Sequence, residues 1–174
     1  PGANIISLKV LGDGSSWETL NKALEWCVEN ASTYNIATVN MSLGADLLYT
    51  NDVVDGISSA HLSALTNMGV CVVSASGNSF NGLQGVSYPS ADANSLSIGA
   101  VFHDDEGYRG IYSGGQESFT SDADVLAPFS NRDDELTTIF APGVAIPATK
   151  LGGGIVASDG TSMASPIVAG AVLI

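Results

Sequence analysis

The run Gly160-Thr161-Ser162-Met163-Ala164-Ser165-Pro166 places a serine just ahead of a small and apolar stretch, Ile167–Ile174, whose residues suit a buried helix. A serine at a helix start faces N–H groups without intrahelical partners and the positive end of the helix dipole. That field favours negative charge developing beside its oxygen. Most serines in such a place only cap the helix, so the nucleophile reading needs company. Two other chemistries can be weighed on residues alone. Gly12-Asp13-Gly14 looks like the start of a phosphate-binding G-x-G-x-x-G, but Trp17 holds the third glycine position and Asp13 would repel a pyrophosphate. Zinc is disfavoured because two cysteines and two histidines are scattered singly.

The elements that must position Ser162 follow from apolar periodicity. Asn4–Leu11 is β-branched and apolar and reads as a buried strand. Ser15 with Glu18 forms a capping box, and Leu20, Ala23, Leu24 and Cys27 give the stripe of an amphipathic helix. Ala37–Leu43 is a second strand. Asp52 to Met68 reads as a second helix, its stripe made of Val53, Val54, Ile57, Ala64, Leu65 and Met68, with Gly69 as its C′ glycine. Val70–Ala75 and Ser95–Val101 are further strands, and residues 138–142 return the chain to the core after a long loop. Alternating strands and helices predict an α/β fold, a parallel sheet with helices on both faces. In such sheets ligands gather at the carboxyl ends of strands, where Leu43-Gly44 and Gly77-Asn78 stand. On their own residues these are a strand end and a turn.

Composition narrows the partners. With 174 residues and 45% hydrophobic content the chain can build one domain with a sizeable core. Five basic residues against 18 acidic ones, a net charge of −13, argue against nucleic acid, which needs clustered Lys and Arg. The longest apolar run, Ile167–Ile174, is too short for membrane insertion. Cys27 and Cys71 sit in apolar patterns and read as two buried thiols rather than a disulfide framework. Residues 103–135 carry nine acidic side chains (Asp104, Asp105, Glu106, Glu117, Asp122, Asp124, Asp133, Asp134 and Glu135) and read as a solvated excursion.

Gly160–Pro166 is similar, residue for residue, to the nucleophile motif of the subtilisin-like serine proteases. Five further segments resemble that family in its order: residues 1–12, Asn40-Met41-Ser42-Leu43-Gly44, Val72 through Asn78, Tyr88-Pro89-Ser90 with Ile98-Gly99-Ala100-Val101, and Ala141-Pro142-Gly143. The resemblance covers nearly the whole chain and implies a secreted serine endopeptidase acting on a polypeptide substrate. It implies Ser162 as nucleophile and Asn78 as an oxyanion donor alongside the Ser162 backbone N–H. Ser42, Leu43 and Gly44 would pair with an extended substrate as an added strand, while Ala75, Ser76 and Gly77 would line the primary specificity pocket.

The family's Asp-Thr/Ser-Gly and His-Gly-Thr-His motifs are absent. His61 reads as a solvent-facing helix residue and His103 as a loop residue, so neither is the expected general base. The whole of 1–174 is therefore expected to be a partial catalytic domain, with its Asp and His upstream, and inactive alone. The alternative is a catalytically dead domain of the same fold kept for binding or display. No cofactor is required for the chemistry. A structural calcium is compatible with the acidic excursion, through Asp104, Asp105, Asp122 or Asp124, but the region lacks the spaced D-x-D-x-D-G ligand pattern.

Overall fold

A computed structural model describes residues 2–14, 16–45, 47–105, 117–118 and 120–174. Along the chain run α1 (Trp17–Tyr34), β1 (Thr38–Met41), β2 (Leu48–Tyr49), α2 (Ser59–Asn67), β3 (Cys71–Ala75), β4 (Val86–Ser87), β5 (Leu96–Val101), β6 (Thr137–Pro142), β7 (Ile146–Thr149), β8 (Ile155–Ser158) and α3 (Thr161–Ala171). The central sheet is parallel, in the order β1-β3-β5-β6. Two antiparallel pairs, β2 with β4 and β7 with β8, stand apart from it.

The sheet has one core on each face, as the period-2 alternation of a buried strand demands. On β3, Val72 packs with Leu20, Leu24, Leu62 and Leu65 of α1 and α2. Its neighbour Val73 packs with Ile98, Ala100 and, from α3, Ala164 and Val168. Each such valine contributes roughly 1.5–3 kcal/mol by burial. Helices on both faces of a parallel sheet give the expected three-layer α/β arrangement. Among the described residues no helix is long and apolar enough to cross a membrane.

α1 begins one residue later than its sequence pattern indicates. Ser16 is the N-cap, accepting from the Thr19 N–H at 3.3 Å, and Ser15 lies outside the described residues. The buried stripe is Leu20, Leu24, Cys27 and Ala31. The second helix is half its expected length. Residues 52–58 are not helical, and Val54 and Ile57 are exposed. There Val53 bridges Asp92, and Gly56 lies so close to the Tyr88 ring that a Cβ would sit 2.5 Å from it. Tertiary contacts overrode a helical-looking pattern. His61 is not on a solvent face either: it is half-buried, and its Nδ1 has no partner among the described residues.

Residues 4–11 do not form the expected buried strand. They run without regular structure, and Ile5, Ile6, Leu8 and Leu11 are exposed. A strand needs a neighbour for its N–H and C=O groups, and no strand among the described residues pairs with this segment. The acidic stretch is only partly a solvated excursion. Residues 127–131 and Asp133 are buried, Ala127 and Phe129 within the α3-side core. Glu106 falls outside the described residues. α3 has one buried side rather than full burial, for Ile167, Val172, Leu173 and Ile174 are exposed. Cys27 and Cys71 are free thiols.

Candidate active site

Sheet register brings the first two parts of the site level with each other. Met41 pairs with Ser74, so residues 42–44 leave β1 beside the point where Ala75 ends β3. α3 starts against the same edge and carries Ser162 in its first turn. Polar contacts fix the approach of α3 to β1. Ser165 Oγ donates to Asn40 Oδ1 at 2.6 Å, and Asn40 Nδ2 donates to Ser42 Oγ at 3.1 Å. Ser42 Oγ then donates to the Ser162 carbonyl at 2.8 Å. That carbonyl is available because Pro166, four residues on, has no N–H to give it.

The Ser162 hydroxyl lies 3.4 Å from the Ser42 carbonyl, its one hydrogen-bond acceptor among the described residues. Neither histidine bonds to it. Its backbone N–H, in the first turn, has no acceptor among the described residues, as helix geometry predicts.

Asn78 is held by its oxygen. Oδ1 accepts from the Thr161 N–H at 2.8 Å and from Thr161 Oγ1 at 2.9 Å. A backbone N–H can only donate, so these bonds settle which end of the amide is which. Nδ2 is left without a partner among the described residues. A Cβ on Gly160 would sit 3.4 Å from Asn78 Nδ2 and 3.6 Å from Ser162 N. The two free N–H donors therefore flank one small space beside the Ser162 hydroxyl. Such a pair can stabilise an oxygen that gains negative charge.

A cleft of about 280 Å³ opens here, lined by Leu43, Gly44, Ala45, Ala75, Gly77, Asn78, Ser79, Ser87, Thr161 and Ser162. The structure thus gathers Ser162, Asn78, Leu43, Gly44, Ala75 and Gly77 around one cavity, with Ser42 behind Ser162. Ser76 is the exception. Its side chain is fully buried and donates to the Asn131 carbonyl at 2.7 Å, facing away from the cleft. Neighbours on a strand point to opposite faces, so Ala75 and Ser76 cannot both present side chains to it.

Sequence reasoning missed several contributors, Ala45 and Ser79 of the cleft wall among them. Ser87 lines the cleft from β4. Thr161, inside the recognised motif, orients Asn78. Asn40 ties β1 to α3. Asn131 accepts from the Ser79 N–H at 3.0 Å and packs on Gly77. A hydroxyl next to the nucleophile was a signal for Thr161; Asn131, amid acidic residues, offered none. The acidic residues named for calcium, Asp104, Asp105, Asp122 and Asp124, flank residues 106–116, which lie outside the described residues. Among the described residues no three carboxylates, histidines or thiolates converge, and Asp104, Asp122 and Asp124 are exposed.

Comparison with known proteins gives the family. The chain is 33% identical over 175 residues to a thermostable alkaline protease of Halalkalibacterium halodurans, covering 98% of the chain and 39% of that protein. It is 33% identical over 179 residues to subtilisin E of Bacillus subtilis, covering 98% of the chain and 38% of the relative. Its fold is similar to that of the prenylagaramide maturation protease PagA, with TM-score 0.66, 28% identity, and coverage of 92% of this chain and 50% of that one. The S41 psychrophilic protease aligns with TM-score 0.68 and 27% identity over 93% of this chain and 50% of that one. The chain spans about two-fifths of the length of these curated relatives and half of these solved ones. A model of the Subtilase family matches residues 1–174, and the chain belongs to that family.

Proposed function

We propose that the protein is a serine endopeptidase in which Ser162 attacks the scissile carbonyl of a polypeptide. The observation that carries this reading is the pair of unpartnered donors, Asn78 Nδ2 and Ser162 N–H, beside the Ser162 hydroxyl. Ser162 Oγ forms a bond to the carbonyl carbon while its proton passes to a histidine oriented by an aspartate, neither of them in this sequence. The carbonyl π electrons move onto oxygen, between the two donors. Collapse of that intermediate breaks the C–N bond, the amine leaves with the proton, and water later hydrolyses the acyl-enzyme. The reaction uses side chains and water alone.

Residues 42–44 leave the carboxyl end of β1 beside Ser162 and line its cleft with Leu43 and Gly44, and this supports pairing with an extended substrate as an added strand. Leu43, Ala45 and Ala75 in the cleft wall favour a large apolar side chain before the cleaved bond. The acidic composition and the family suit work outside the cell.

A fluorophosphonate probe on the full-length protein tests the nucleophile. Labelling of Ser162, lost in Ser162→Ala, is expected. Labelling of another serine, or none, overturns the assignment and favours a binding domain. The 174-residue chain alone should hydrolyse no peptide above background, because a serine without its base is a weak nucleophile.

A further inference from the structure

A second cavity, about 230 Å³, lies beside the loop that carries Asn131 and is lined on one side by Arg132. The Arg132 guanidinium sits 3.6 Å over the centre of the Phe80 ring. Both bonds it makes come from Nη1, at 3.5 Å each, to the carbonyls of Ala127 and Ser130. A guanidinium has five N–H donors, so those of Nη2 and Nε have no protein partner among the described residues. No carboxylate among the described residues lies within ion-pair distance of it, although the chain carries 18 acidic residues against five basic ones. The Phe80 face and the two carbonyls stabilise the charge, and the Nη2 and Nε donors remain free for a further acceptor.

We propose that this cavity is a carboxylate-binding subsite, in which Arg132 grips the ligand through Nη2 and Nε. The free edge of the fork suits a planar, two-oxygen acceptor. Val125, Leu126 and Pro128 give the cavity apolar walls that exclude water and strengthen such a bond. The Thr120 hydroxyl accepts from the Asp122 N–H and keeps its own proton to donate. Glu117 also lines the cavity; it is exposed, which weakens its repulsion of a ligand. Burial lowers the Arg132 pKa from its ordinary value. Arg132 follows Asn131, and Phe80 follows Ser79, a residue of the main cleft wall. Through these chain neighbours the subsite is tied to the cleft wall, and it would read an acidic residue or a free carboxyl terminus of a bound peptide.

The test uses the full-length protein and three probes: N-acetyl-glutamyl amide for a side-chain carboxylate, N-acetyl-glycine for a terminal one, and inorganic phosphate. N-acetyl-glutaminyl amide is the neutral control. Binding to the parent is followed by the NMR shift of the Arg132 Nε–H, assigned by its loss in Arg132→Lys, and affinities of parent and variants are compared by isothermal titration calorimetry. One or both carboxylates should shift it and phosphate should not, and Arg132→Gln should weaken binding about tenfold, near the value of one charge-assisted hydrogen bond. If Arg132→Gln does not fold, Arg132→Lys serves instead. It keeps the charge but not the fork, and should weaken binding at least about threefold. No shift with either carboxylate, tighter binding of phosphate, or indifference to the substitutions overturns the proposal. This readout needs no turnover, so it stands apart from the proteolytic reading. Where that reading holds, kcat/KM for peptides with Glu scanned along the chain should exceed that of the Gln series at one position, in an Arg132-dependent way.

Discussion

Ser42 Oγ donates 2.8 Å to the Ser162 carbonyl, the one that Pro166 leaves without its helical partner. The proline thus lets a strand residue tie the proposed nucleophile's own peptide group in place of the helix. Ser42→Ala should leave that carbonyl unpaired and cost about 1–3 kcal/mol of stability. Because Ser162 would also lose a positional restraint, kcat should fall about tenfold or more. Denaturation midpoints and single-turnover rates on full-length protein check both. A stability loss with unchanged turnover would reduce Ser42 to a structural residue.

Gly77 is confined in two ways. Its φ is +110°, and a Cβ there would come within 2.2 Å of Asn131 Nδ2 and 2.5 Å of Ser87 Oγ. Gly69 has φ +81° but nothing within 4 Å of such a Cβ. Gly69→Ala should therefore cost only the backbone penalty, about 1 kcal/mol, whereas Gly77→Ala adds a clash and should cost about 3 kcal/mol or more. Thermal unfolding of the two variants compares them directly. Equal losses would mean that Asn131 and Ser87 yield without strain.

Burial pushes the Cys27 thiol up from its ordinary value, and Cys71, less buried, in the same direction. A raised folded pKa for an acid means that the neutral form is favoured by folding. That contribution is complete below the ordinary thiol pKa and declines as pH rises past it. At pH 8 native Cys27 should react with iodoacetamide about a hundredfold or more slower than in denaturant, with Cys71 faster than Cys27. Mass spectrometry of the alkylated peptides reads this, and rapid native labelling of Cys27 would contradict its place on the buried face of α1.

The parts legible in the sequence are those fixed by local pattern. The strands 38–41, 71–75 and 96–101 announce themselves by continuous apolar runs, and α1 by its stripe. The misreadings share one cause. Val53, Val54 and Ile57 mimic a helical face, yet their segment is held in bends and a turn by Asp92 and Tyr88, thirty to forty residues away. Residues 127–133 look solvated because acids flank them, although Phe129 and Asn131 fill space behind the cleft. Asn4–Leu11 has strand chemistry without a strand partner. In the site, the family resemblance marked Ser162 and Asn78, the latter a plain turn residue on local pattern alone. The groups that hold them, Thr161, Asn40 and Asn131, act through contacts between distant segments, which no local pattern encodes.

Thr161 and Asn78 supply the sharpest prediction. Asn78→Leu keeps the size of the side chain but removes Nδ2. Negative charge reaches the carbonyl oxygen only as the tetrahedral intermediate forms, so the loss should fall on kcat, with KM nearly unchanged. The expected drop is roughly 10²–10³-fold, a magnitude carried over from a subtilisin rather than from this structure. Two companions separate donation from simple disruption. Asn78→Asp can still accept both Thr161 bonds, at 2.8 and 2.9 Å in the parent, but presents an oxygen where Nδ2 stood. It should fold as well as the parent and lose at least as much kcat as Asn78→Leu, since an ionised carboxylate repels the developing charge. Thr161→Val removes one of the two bonds to Oδ1 and the acceptor of the Gly77 N–H, and keeps the Nδ2 donor. Its loss should be smaller, about tenfold, and Thr161→Ser should restore most of it. If Asn78 were merely a turn residue, Asn78→Asp would turn over like the parent per active site titrated.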